Sequence, residues 1–208
     1  MSALVTQREA CSLGGMIRAL LIALLLTAPL VAQPVEPATV RVTMTTALGP
    51  IVMALEKERA PITTAYFLRY VDGKRLDGST FYRALKVGTD AGLVQGGVLD
   101  PKKLLPPIAH ETTSKTGLSH TDGAISLARA APGTATANFF IIVGTLTSLD
   151  AQPDGPGDRD GYAVFGHVVE GMDVVRKILD APVSAIKGTG VMKGQMIEAP
   201  VKIVSVQR

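Results

Sequence analysis

The chain has 208 residues, 21 basic against 18 acidic side chains, three histidines, one cysteine and no tryptophan. This length suits one domain with an appendage. The near balance of charge, with no basic run interleaved with aromatics, excludes the nucleic-acid-binding classes.

Residues 1–32 read as a secretory signal. Arg18 supplies the charged region, residues 19–26 the apolar core, and Ala32 a small residue before a cut at Gln33. A membrane anchor is the alternative, but the apolar run is shorter than the ~20 residues a span needs. Met16 is a candidate true start, with residues 1–15 an upstream extension. The one cysteine, Cys11, lies in this leader. The expected mature chain therefore has no disulfide or thiol nucleophile, which suits a bacterial periplasm or the cell exterior. No stable membrane insertion is expected after cleavage.

Residues 33–38, with Pro34 and Pro37, form a linker to a domain over 39–208. Val40, Val42 and Met44 alternate with polar residues, the period of a half-buried strand. Ala47-Leu48-Gly49-Pro50 turns the chain into a second strand over 51–55. Pro61 opens a helix that Asp72-Gly73 ends, with Gly73 at the C-cap. Short strands are predicted over 81–85, 93–95, 124–128, 138–143, 162–168 and 201–206, and a second helix over 171–179. About eight short strands, two helices and many Gly/Pro loops predict a mainly β chain, as a sandwich or a closed barrel capped at both openings.

Motifs of covalent and cofactor chemistry are missing from the sequence. There is no G-x-S-x-G elbow, Walker A or Rossmann glycine pattern. His110, His120 and His167 lack metal-ligand spacing, and Asp154, Asp158, Asp160 and Gly161 miss the calcium-loop pattern. No metal and no cofactor is expected. Phe81-Tyr82-Arg83 stands apart. An arginine among aromatics is a permanent charge with five donors to satisfy. Its bland reading is a barrel arginine paired with a carboxylate; its functional reading is a donor aimed at a neutral ligand.

Phe81-Tyr82-Arg83, Leu93-Val94-Gln95-Gly96-Gly97, Ser126-Leu127-Ala128, Asn138-Phe139-Phe140-Ile141 and Val164-Phe165-Gly166-His167-Val168 follow one another in order over one domain length. This ordered set resembles the cyclophilin family of peptidyl-prolyl cis-trans isomerases, most closely its exported bacterial branch, from about Thr39 to Gln207. The resemblance implies a closed eight-stranded antiparallel barrel with a helix at each opening, and a groove for proline-containing polypeptides. It implies that Arg83 and Gln95 are catalytic. It also implies that Phe81, Leu93, Phe140 and Leu149 form the apolar pocket. Asn138 matches a polar position near the arginine, Ala128 and Arg129 a segment running along the peptide, and Tyr162 a position that is histidine in many eukaryotic members. The segment between Arg83 and Gln95 is longer than usual by a few residues. Gly92 replaces an aromatic, which removes one pocket wall unless the longer segment supplies a substitute. Ser148 falls where the family carries an aromatic.

The expected activity is rotation of X-Pro bonds in exported polypeptides to assist their folding, by a monomer. Two alternatives remain open at the level of sequence: a cyclophilin-fold module that binds proline segments and isomerises them poorly, and a barrel whose Arg83 is structural.

Overall fold

A computed structural model of the chain describes residues 38–156 and 158–208. The leader expected over 1–32 and the linker up to residue 37 lie outside the described residues.

β1 (Thr39–Thr46) and β2 (Gly49–Glu56) form the expected hairpin, paired from Thr39–Glu56 to Thr46–Gly49. Val42 and Met44 point inward and are fully buried, as their alternation requires. α1 (Pro61–Asp72) begins at its proline, yet its N-cap is Ala60, which has no side chain to satisfy the first amides. Glu111 does so from a distant loop: its carboxylate accepts from the amides of Ile62 (3.1 Å) and Thr63 (2.6 Å). A carboxylate there also complements the positive end of the helix dipole. Gly73 is the C-cap as expected, but the left-handed conformation falls on Lys74 (φ 51°).

β3 (Thr80–Val87) and β4 (Ala91–Gly97) form a second hairpin. The segment read as a longer loop is largely strand, with Leu85 opposite Leu93 and Val87 opposite Ala91. A short α2 (Thr113–Thr116), β5 (Ala124–Leu127), β6 (Phe139–Val143), β7 (Ala163–Glu170) and α3 (Met172–Leu179) follow. The chain finishes with the two-residue β8 (Val183–Ser184) and the long β9 (Met196–Gln207). The sequence reading missed α2 and β8 and started β9 too late.

The sheet runs β1-β2-β7-β5-β6-β4-β3-β9, and β9 pairs back to β1, closing an eight-stranded antiparallel barrel; β8 is an appendage on β9. Closure leaves the barrel without free edges. The two long helices cap opposite openings. Thr64 of α1 hydrogen-bonds to the Glu56 carbonyl at one end of β2, and Val174 of α3 meets Gly49 at the other. Phe67 of α1 contacts Phe139 and Phe165 inside the barrel. A second, smaller apolar cluster built on Leu93, Phe140, Ile142 and Val164 lies on the outer face of β4, β6 and β7.

Candidate active site

A β-bulge in β3 decides which side chains meet on that outer face. Phe81 pairs with Gly96 and Arg83 with Gln95, so Tyr82 is an extra residue in the strand. In a regular strand residues two apart share a face; the bulge turns Phe81 and Arg83 to opposite faces. Phe81 enters the barrel, is fully buried and meets Phe139 edge to face at 5.6 Å. The bare Gly96 makes room for it, since a Cβ there would sit 2.9 Å from its ring. Phe81 is thus a core residue, which corrects its expected place in the pocket.

Arg83 faces outward. Nη1 donates to Oε1 of Gln95 at 2.7 Å, and Nε donates to Oε1 of Gln195 at 2.8 Å. Gln95 Nε2 donates to the Tyr82 hydroxyl (2.9 Å), which donates to Oδ1 of Asn138 (3.2 Å). Asn138 therefore stands three hydrogen bonds behind the arginine and does not line the groove, which corrects its expected position beside it. Burial pushes the Tyr82 phenol pKa up, so it stays a donor. Burial also pulls the Arg83 pKa down from the usual arginine range, though an arginine remains charged. Among the described residues no carboxylate pairs with Arg83, and Nη2 has no protein partner.

The groove has a volume of about 160 Å³ and is mainly apolar. Arg83, Gln95, Leu93, Ala128, Arg129, Phe140, Leu149 and Tyr162 all line it, as the sequence led one to expect; Leu85 and Met192 line it as well and were not foreseen. Gly92 does not open it. A Cβ on Gly92 would lie 2.5 Å from the Leu85 carbonyl and 3.0 Å from Leu179 of α3, on the opposite side of the strand from Leu93. The wall is supplied by Leu85, cross-strand from Leu93, and by Met192. Ser148 is exposed and borders a separate depression with Leu149 and Tyr162.

The Arg129 guanidinium is committed to the loop before β7. Nε donates to the Gly161 carbonyl at 2.9 Å, Nη2 donates to Asp158 at 2.8 Å, and the group lies 5.1 Å from the Tyr162 ring centroid. The hydrogen bond from Arg129 holds the Asp158 carboxyl below its usual range. Arg129 thus fixes Tyr162, and Asp158 is used for structure.

Beneath the floor, Phe140 stacks on His120 (5.8 Å, 13° between planes) and meets Tyr162 edge to face at 5.3 Å. His120 is fully buried, with Nδ1 2.5 Å from Asp150 Oδ1 and Nε2 3.1 Å from Ser126 Oγ. This network assigns a neutral imidazole that donates through Nδ1 and accepts from Ser126. Asp, His and Ser stand in the order of an acyl-transfer triad, but Ser126 is fully buried and no substrate reaches it. The trio is a support for Phe140.

Comparison with known proteins agrees with this architecture. The family model described as "Cyclophilin type peptidyl-prolyl cis-trans isomerase/CLD" matches residues 41–208. A peptidyl-prolyl cis-trans isomerase of Acinetobacter baylyi is 37% identical over 175 residues, covering 82% of this chain and 86% of that one. Peptidyl-prolyl cis-trans isomerase B of Escherichia coli is 36% identical over 142 residues, covering 66% and 82%. The crystal structure of a Cryptosporidium parvum cyclophilin-type isomerase superposes with a TM-score of 0.65 over 82% of this chain and 97% of that one; at 19% identity it speaks for the fold alone. With the family match spanning the whole barrel and bacterial relatives aligned over most of it, this chain belongs to the cyclophilin-type peptidyl-prolyl cis-trans isomerases.

Proposed function

We propose that the outer groove isomerises X-Pro peptide bonds, with Arg83 as the catalytic donor. A Cryptosporidium parvum cyclophilin-type isomerase of similar fold was determined in the presence of the dipeptide Ala-Pro. The prolyl bond is a partial double bond with a rotation barrier of ~18–20 kcal/mol, and uncatalysed isomerisation takes tens to hundreds of seconds. Twisting the bond returns the lone pair to the prolyl nitrogen. A donor aimed at that nitrogen bonds the twisted amide and not the planar one, which is the differential binding that catalysis needs. No bond is broken, so the chemistry asks for no nucleophile.

One observation carries this assignment: Arg83 is held by two neutral amides in an apolar groove and by no carboxylate. Its charge is oriented without being neutralised, and the low-dielectric surroundings strengthen it. Leu93, Phe140, Leu149 and Leu85 bury the pyrrolidine ring. Gln95 orients Arg83, and Ala128 runs along the peptide backbone. The signal-like residues 1–32 support work on exported polypeptides in the periplasm or outside the cell.

The test is isomerisation of a proline peptide by wild type and Arg83→Ala. A lost preorganised donor costs about 10²–10³ in rate, so the variant is expected to fall by that factor in kcat/KM with its fold intact by circular dichroism. Wild type no faster than buffer, while still binding the peptide, would select the binding-module alternative. A fully active Arg83→Ala would make the arginine structural.

A further inference from the structure

We propose that residues 187–195 form an active-site loop in which Gln195 is a positioning residue for Arg83 and Met192 closes one wall of the groove. The inference rests on the isomerase reading above and adds to it a segment that lies 112 residues from Arg83 along the chain.

The guanidinium is gripped on two sides. Gln95 comes from β4, and Gln195 comes from the loop just before β9. One acceptor on Nη1 leaves the plane free to swing about that contact; a second on Nε fixes it and leaves Nη2 for the substrate. Gln195 is itself held. Its Nε2 donates to the Val191 carbonyl at 2.6 Å, its backbone amide donates to the Met192 carbonyl at 3.1 Å, and its own carbonyl accepts from the Ala84 amide at 3.0 Å. The loop closes on itself through the Gly194 amide and the Lys187 carbonyl at 3.0 Å. Gly188 permits this closure: it has φ +93°, and a Cβ there would sit 2.4 Å from the Met192 carbonyl. The same closed turn presents Met192 to the groove. A neutral amide suits this position, because a carboxylate would orient Arg83 equally well while cancelling the charge that the twisted amide needs.

The experiment compares Gln195→Ala, Gln195→Glu and Met192→Ala with wild type, alone and combined with Arg83→Ala. It follows peptide isomerisation together with solvent exchange of the Arg83 Nε–H by NMR. Gln195→Ala is expected to lower kcat about tenfold with KM nearly unchanged, and to speed Nε–H exchange. Gln195→Glu should keep the slow exchange and still lose activity. Added to Arg83→Ala, Gln195→Ala should cost nothing further. Met192→Ala should raise KM several-fold at unchanged kcat. Wild-type kcat in Gln195→Ala, unchanged Nε–H exchange, or an equal further loss in the Arg83→Ala background would overturn the role of Gln195, and an unchanged KM would overturn that of Met192. An inactive wild type would instead defeat the isomerase reading, and the exchange measurement would still decide whether Gln195 holds Arg83.

Discussion

Arg83 works at the end of a hydrogen-bonded row, Asn138–Tyr82–Gln95–Arg83, whose donors all point one way. Tyr82→Phe keeps the ring and deletes the middle link. It leaves the Gln95 amide and the Asn138 oxygen without their partner, at a cost of about 1–3 kcal/mol. We expect a lower denaturation midpoint and a several-fold fall in kcat, measured together on one sample. His120 gives a pH effect of defined sign. Burial, its largest influence, lowers its pKa below 6.5 against the opposing pull of Asp150. Above about pH 6.5 neither the folded nor the unfolded chain protonates this group, and its contribution to stability is fully present. As pH falls below that value the unfolded chain takes up a proton that the folded one resists, so stability declines toward the folded-state pKa. Urea midpoints at pH 7.5 and 5.5 should therefore differ more for wild type than for His120→Gln. An equal pH dependence in the two proteins would remove this role from His120. In the sequence this histidine shows only that it lacks metal-ligand spacing; its stacking on Phe140 depends on a fold that brings residues 120, 140 and 150 together.

Among the elements, the β3–β4 hairpin departs furthest from expectation. Its extra residues extend the ladder, and the bulge at Tyr82 sets which face each one takes. The family resemblance grouped Arg83, Gln95 and Leu93, and the paired strands β3 and β4 do bring them together. The same resemblance put Phe81 in the pocket, whereas a one-residue bulge turns it to the other face. Gly92 shows the same limit. Installing the aromatic of the family there drives a side chain into the Leu85 carbonyl and Leu179. Even Gly92→Ala is expected to destabilise by about 1–3 kcal/mol through overpacking, visible as a lower Tm. Gly92→Phe should not improve kcat/KM; a more active Gly92→Phe would mean that this strand turns the other way.

At the scale of the whole molecule, closure is the organising constraint. β1 and β9, from the two ends of the described chain, pair with each other, and β9 also pairs with β3, which carries Arg83. A chain truncated before Val201 leaves β1 paired with β2 alone and removes part of the β9 pairing of β3. It should lose its cooperative unfolding transition and its activity together. If such a chain melted as wild type does, the closing strand would be dispensable. A closed barrel also explains which parts were legible in advance. Alternating apolar residues, proline at a helix start and glycine at turns are local signals. They marked the eight barrel strands, though not the full length of β9, the two long helices and the mainly β class, and the order of five short motifs indicated the family and most of the groove. Three features needed the tertiary structure: the inward turn of Phe81, the Glu111 cap on α1, and the contacts of Gln195 and Met192 with the groove. Each joins residues through a bulge or a loop that closes on distant backbone, and such contacts leave no period in the sequence. The sequence by itself determined the mainly β class and, through five ordered motifs, the family resemblance that marks Arg83; only the folded chain decided what holds that arginine, because its second acceptor arrives through the loop that precedes the closing strand.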